Sequence, residues 1–148
     1  MIVVAQRCSS ASVSVDGAVV SKIDQGLLLL VGIEKGDGQL DIQRVANKIS
    51  NLRIFEDENN KMNLSIMDVN GSLLVVSQFT LCGSVKKGRR PSFVNAETPE
   101  LSFILYEKLI TSFKEVGIHT FGGSFGKMMN VELINKGPAT FIINSKEI

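Results

Sequence analysis

Gly26-Leu27-Leu28-Leu29-Leu30-Val31-Gly32-Ile33 is an unbroken apolar run bounded by turn residues, and its reading decides the fold. It is shorter than the roughly ten to twelve residues of an ordinary helix and suits a strand covered on both faces, so it predicts a buried central strand. On its N-terminal side, Ser10 to Ser21 alternates small or apolar residues around Asp16-Gly17, with Val13 and Val15 before the pair and Val19 after it. Asp-Gly between such arms predicts a β-hairpin, because both central residues of a type I′ turn need positive φ. On its C-terminal side, Gly36-Asp37-Gly38 interrupts the run, and Ile42, Val45, Ala46, Ile49 and Leu52 recur at helical spacing. A first helix from Asp41 to about Asn51 follows.

Farther along, Arg53-Ile54-Phe55 resumes an extended segment, and Glu56 to Asn60 reads as a polar loop. Asn70-Gly71 reads as a second hairpin-type turn leading into the strand Leu73-Leu74-Val75-Val76, which delivers Ser77 to Leu81. Gly83 to Phe93 gathers Lys86, Lys87, Arg89 and Arg90 around Gly88 and is expected to be an exposed basic loop. Thr98-Pro99-Glu100 has a capping residue followed by proline at the first helical position. It opens a second helix whose face carries Leu101, Ile104, Leu105, Leu109 and Phe113, and which Gly117 stops. Ile118 to Phe121 is extended, Gly122-Gly123 turns, and Met129, Val131 and Leu133 alternate along a further strand. Asn135-Lys136-Gly137-Pro138-Ala139-Thr140 lies between two apolar runs and reads as a turn into a last strand. With more strands than helices and early hairpins, the chain is expected to be α+β: one domain over residues 1–148, with a largely antiparallel, barrel-like sheet and helices packed against it.

Composition narrows the chemistry. The 148 residues carry 44% hydrophobic and 21% charged residues, ordinary for a soluble globular protein, and no stretch has the roughly 18 apolar residues of a membrane span. The N-terminus has no secretory leader, so a cytoplasmic location is expected, with Cys8 and Cys82 as reduced thiols. One histidine, His119, and no carboxylate cluster at ligand spacing argue against a metal, and no cofactor motif is visible. A net charge of +1 leaves any nucleic-acid affinity to the local cations of Lys86 to Arg90. That loop is either a solvated surface or a phosphate contact, beside which Phe79, Phe93 and Phe125 offer stacking surface for an unpaired base. Ser77 and Thr80 are candidate nucleophiles, but a hydroxyl needs a base, and nothing in the sequence sets His119 beside either.

Ser77-Gln78-Phe79-Thr80-Leu81 together with Asn135-Lys136-Gly137-Pro138-Ala139-Thr140 resembles the two signature motifs of the D-aminoacyl-tRNA deacylases, also called D-tyrosyl-tRNA deacylases. The likeness runs through Gln6-Arg7, Ser9 to Val13, Gly26-Leu27-Leu28, Lys61-Met62-Asn63 and Lys87 to Phe93. Ala139 departs from the usual Val, and Asn130 from the Gln common after the methionine.

The resemblance implies a homodimeric esterase that frees D-amino acids, or glycine, from the 3′ acceptor end of tRNA and spares L-aminoacyl-tRNA. It implies catalysis at Ser77, Gln78, Phe79 and Thr80, with backbone N–H groups near Phe79 and Thr80 facing the ester oxyanion. It also implies a chirality gate at Gly137 and Pro138, joined by a cis bond, steadied by Arg7 and inserted into the partner's site. Phe125 and Met129 join the four loop cations as candidate substrate or tRNA contacts. Attack by water would be assisted by the terminal 2′-hydroxyl of the tRNA, which agrees with the missing base. The alternative is a non-catalytic RNA-binding module of the same fold.

Overall fold

The computed structural model describes residues 1–148. Its sheet is built on one long hairpin. Strand β1 (Ile2–Val15) turns at Asp16-Gly17, both at positive φ (51° and 80°), into β2 (Ala18–Ile23) and β3 (Gly26–Gly32). The two returning strands share one antiparallel register against β1, from Val13↔Ser21 and Ala11↔Ile23 through Cys8↔Gly26 to Ile2↔Gly32. The predicted hairpin is therefore the start of a much longer one. Strands β4 (Phe55–Glu56) and β5 (Met62–Leu64) form a separate two-stranded flap.

Strand β6 (Ser72–Ser77) pairs with β3, and β7 (His119–Gly122) with β6, both in parallel. Asn70-Gly71 is thus not a hairpin turn. Asn70 has φ 52° and, with Gly71, ends a tight coil in which the Gly71 N–H reaches the Ile66 carbonyl at 2.9 Å. The strand it feeds enters the sheet beside β3, not beside its predecessor. Gly26 is the point of closest approach, where a side chain would drive into the Ser72 backbone. The sheet curls until Ser21 Oγ of β2 donates to the Gly122 carbonyl of β7 at 2.5 Å, which gives the nearly barrel-like form expected from the sequence.

The central run is buried on both faces for a specific reason. Leu27, Leu29, Leu73 and Val75 meet the helices in a cluster of 23 buried residues, whereas Leu28, Leu74 and Val76 point into a smaller cluster of 7 inside the curl. Helix α1 (Gln39–Asn51) and helix α2 (Pro99–Glu115) cover the first face. Asp41 Oδ2 accepts the Gly38 N–H at 2.9 Å to start α1, and Thr98 caps α2 with proline next in line. The expected face of α2 is half right. Leu105, Leu109 and Phe113 are buried with Tyr106 and Ile110, but Leu101 and Ile104 stay exposed. No helix is long and apolar enough to cross a membrane.

Strand β8 (Asn130–Asn144) is the largest departure from expectation. Asn135 to Thr140 does not turn the chain. It lies within one strand paired with β1 on both sides of the segment, from Ser14↔Asn130 to Ile2↔Asn144. Cys8 pairs with Asn135 and Gln6 with Thr140, so residues 136–139 all arch over Arg7. The segment is an oversized bulge. Periodicity cannot distinguish such an arch from a turn, because both interrupt alternation with Gly-Pro.

Candidate active site

The first site forms where the parallel strands end. Val31 and Ser77 are the last residues that β3 and β6 pair with each other, and the Gln78 N–H still reaches the Val31 carbonyl at 2.8 Å. The chain then coils into a 3-10 turn, Phe79–Cys82, whose first bond runs from the Leu81 N–H to the Gln78 carbonyl. The N–H groups of Phe79 and Thr80 precede that bond and have no acceptor inside the turn, leaving two adjacent donors at the sheet edge. Carboxyl ends of parallel strands are where open sheets place ligands. Here they border a cleft of about 290 Å³ lined by Val31, Ser77, Gln78, Phe79, Glu97, Ser102 and Phe125, among others.

Three of the four candidate catalytic residues and Phe125 therefore meet in one cleft. Thr80 is exposed beside it, with its hydroxyl against the Gln78 amide. Phe79 is 59% exposed yet fixed at its edge by Phe93, with ring centroids 5.1 Å apart, so an apolar face is held open to solvent. Phe125 rests on Phe103 and Tyr106 at 5.3 and 5.5 Å. Tyr106 is buried and donates its hydroxyl to the Val75 carbonyl at 2.8 Å, and burial pushes its pKa up to about 12. It stays a neutral donor that ties the Phe125 loop to the strand carrying Ser77. Met129 is elsewhere: it packs on the small cluster inside the curl.

No activated nucleophile accompanies the cleft. His119 is exposed and pairs with Ser72, five residues before Ser77, so at ~3.3 Å per residue it stands roughly 16 Å away along the sheet. Burial, reinforced by the Glu34 and Asp37 carboxylates, pushes the Cys82 thiol up to about 11, and its sulfur contacts the Ile33 carbonyl. Burial likewise raises Cys8. Neither is a thiolate near neutral pH. No group of three or more potential metal-ligating side chains gathers anywhere in the chain.

The basic loop leaves from this site. Ser84 and Ser92 bridge its base through two backbone bonds of 2.8 and 2.9 Å, and Phe93 then returns to Phe79. Lys86, Lys87, Arg89 and Arg90 are all exposed and form no ion pair within the chain.

The second motif lies apart from the first. The Gly137-Pro138 bond is cis, and Lys136, Gly137 and Pro138 stand exposed at the top of the arch, while Ala139 is buried. The arch is clasped at its base: Asn135 Oδ1 accepts the Ala139 N–H at 3.0 Å and Asn135 Nδ2 donates to Thr140 Oγ1 at 2.8 Å. The Asn and Thr that bracket the motif therefore close the arch and leave its tip free.

Arg7, only 3% exposed, fills the space beneath. Its Nε donates to the Lys136 carbonyl at 3.1 Å, Nη1 to the Ile54 carbonyl at 2.7 Å, and Nη2 to Glu56 Oε1 at 3.1 Å. Gly137 has φ 119°, and a Cβ there would lie 2.5 Å from Arg7 Nη2. Arg7 thus supports the arch through Lys136, not through the carbonyls of Gly137 or Pro138. Sequence reasoning missed its other partners. The Ile54 carbonyl has no sequence signal, and Glu56 read as one acid in a polar loop.

Comparison with known proteins agrees with the family that the two motifs resemble. Residues 4–144 match the family model described as D-Tyr-tRNA(Tyr) deacylase. The chain is 52% identical over 147 residues to a D-aminoacyl-tRNA deacylase of Geobacillus sp. (strain WCH70), covering 99% of this chain and 97% of that one. It is 51% identical over 148 residues to a D-aminoacyl-tRNA deacylase of Aquifex aeolicus (strain VF5), with both chains fully covered. Among solved structures, one titled c-Myc DNA Unwinding Element Binding Protein aligns with a TM-score of 0.93 at 37% identity, covering 97% of this chain and 98% of the other. Another, titled as a structural analysis of a probable eukaryotic D-amino acid tRNA deacylase, aligns at 0.77 with 17% identity over 96% and 98%, a likeness of fold.

Proposed function

The chain belongs to the D-Tyr-tRNA(Tyr) deacylase family, and on that premise we propose that it hydrolyses the ester of D-aminoacyl-tRNA, and of glycyl-tRNA, while sparing L-aminoacyl-tRNA. The reading rests on the separation of the two motifs. Ser77, Gln78 and Phe79 line a cleft that Gly137 and Pro138 do not reach in the same chain, yet those two project on an exposed arch. A second copy supplies the missing half: the arch of one subunit enters the cleft of the other. Strand β8 suits such an assembly because it pairs only with β1, leaving its outer edge open, with Ile134 and Ile142 63% and 77% exposed.

In the complete site, the carbonyl oxygens of Gly137 and Pro138 hold the substrate's α-amino group, and the backbone around them excludes a side chain of L configuration. The acceptor end lies against Phe79 and Phe125, and its phosphates meet Lys86, Lys87, Arg89 and Arg90. The Phe79 and Thr80 N–H groups receive the negative charge that develops on the ester oxygen when water attacks. With His119 remote and both thiols protonated, proton transfer falls to the terminal 2′-hydroxyl of the tRNA, and Ser77 and Thr80 shape the pocket. Water adds to the carbonyl carbon and the bond to the ribose oxygen breaks, releasing free amino acid and tRNA.

Comparing hydrolysis of D-tyrosyl-tRNA with L-tyrosyl-tRNA tests the reading. Release from the D ester alone is expected; equal release from both, or none from either, overturns it. The exposed cations favour one second reading, a non-catalytic RNA-binding module, which predicts tight tRNA binding without turnover.

A further inference from the structure

The guanidinium of Arg7 is buried, and its only charged partner is the carboxylate of Glu56. That carboxylate belongs neither to β1 nor to the arch. It comes from the β4–β5 flap, which is held by its own bonds. Asp57 Oδ1 accepts the Asn59 and Lys61 N–H groups at 2.9 and 3.0 Å, the Asp57 N–H reaches the Lys61 carbonyl at 2.9 Å, and Arg53 bonds Asn63 on the facing strand. The flap and the residue that leads into it therefore present two acceptors, Glu56 Oε1 and the Ile54 carbonyl, to the two outer nitrogens of Arg7. The inner nitrogen, Nε, is thereby aimed at the Lys136 carbonyl, one residue before Gly137. A planar fork fixed at two points fixes the third.

We propose that Glu56 is a positioning residue for stereochemical selection: by holding the Arg7 fork, it sets the height and tilt of the arch that carries Gly137 and Pro138. The inference rests on the reading of that arch as the chirality gate. Glu56 is not among the residues that line the cleft and its side chain is 37% exposed, so its loss removes no cleft contact. Without it, Arg7 Nη2 loses its anchor, the Lys136 carbonyl is free to shift, and the space that excludes an L side chain widens. L-Aminoacyl-tRNA hydrolysis then rises while D hydrolysis falls little.

The test is the ratio of D-tyrosyl-tRNA to L-tyrosyl-tRNA hydrolysis, with kcat and KM separated, in Glu56→Ala and Glu56→Gln. A displacement near 1 Å changes rates by as much as about 100-fold, so Glu56→Ala is expected to lower the D/L ratio by about 10- to 100-fold, mainly through faster L hydrolysis. Glu56→Gln keeps an acceptor oxygen in reach of Nη2 and is expected to stay within about threefold of the parent ratio. If Glu56→Ala does not fold, Glu56→Asp replaces it, since it withdraws the carboxylate by one methylene and should lower the ratio by about threefold or more. An unchanged ratio in folded Glu56→Ala, or in Glu56→Asp where that stands in, overturns the proposal. Gly137→Ala, measured alongside, separates the two failures. If it abolishes selectivity while the Glu56 variants do not, only the role of Glu56 is lost; if it too leaves the ratio unchanged, the gate itself is misassigned and the proposal falls with it.

Discussion

At the scale of single residues, the site is a matter of backbone donors and small clearances. Gly137 combines φ 119° with the Arg7 guanidinium where a Cβ would stand, so no side chain fits without moving Arg7. Gly137→Ala is expected to lose about 2–4 kcal/mol of stability in urea titration, through strain and the displaced buried cation, and to lose most D-tyrosyl-tRNA hydrolysis. A variant as stable and active as the parent would show that Arg7 can yield. Asn135 makes two bonds across the arch, each worth about 1 kcal/mol net. Asn135→Ala should therefore lower stability by about 1–3 kcal/mol, with the unpaired Ala139 N–H setting the upper end. Thr80 is exposed and has no base within reach, so Thr80→Ala is expected to keep activity within about tenfold of the parent. Complete inactivity with native stability would instead point to a covalent hydroxyl.

At the scale of elements, the functional parts sit where regular structure ends or is interrupted. The 3-10 turn after β6 exposes donors because a helical start cannot satisfy its own first N–H groups. The arch in β8 reaches out because four residues oppose one on β1. Between Ser84 and Ser92, the basic loop projects four free cations whose fixed base adjoins Phe79. Replacing Lys86, Lys87, Arg89 and Arg90 with serine should weaken tRNA binding across all tRNAs and reduce the slope of log K against log salt by about 3. Fluorescence titrations at several salt concentrations measure this, and an unchanged slope would return the loop to a solvated surface. These elements were unequally legible. The cap at Thr98, the Asp16-Gly17 turn and the two-sided burial of β3 follow from local chemistry and are found where the sequence put them. Neither the partnering of β6 nor the continuity of β8 is local, because strand pairing is chosen by residues distant in sequence.

For the whole molecule, the open β8 edge and exposed Ile142 predict a dimer by sedimentation, and Ile142→Lys is expected to shift it toward monomer with parallel loss of hydrolysis. A fully active monomer would remove the need for a partner's arch. Acid should loosen the fold in a defined window. The Asp41 pKa is lowered although burial opposes this, because Ser145 and the Gly38 N–H bond its carboxylate near the N-terminal ammonium; Asp57 and Asp68 are lowered chiefly by the backbone N–H groups of Lys61 and Ser65. A depressed folded-state pKa adds stability that is complete above the unfolded value and disappears as pH falls through the folded one, so the urea midpoint should hold above about pH 5 and drop below about pH 4. A midpoint constant to pH 3 would contradict this.

The sequence by itself determined the two helices, the Asp16-Gly17 turn, the two-sided burial of β3 and, through its two motifs, the family: each element, and each motif, rests on residues close together in the chain. Only the tertiary structure decided that Asn135 to Thr140 is an arch, that Arg7 is gripped by Ile54 and Glu56, and that cleft and arch stand apart within one chain. Those facts depend on which strand lies beside which and on where backbone carbonyls end up, and neither pairing nor carbonyl direction is written in the identity of a side chain.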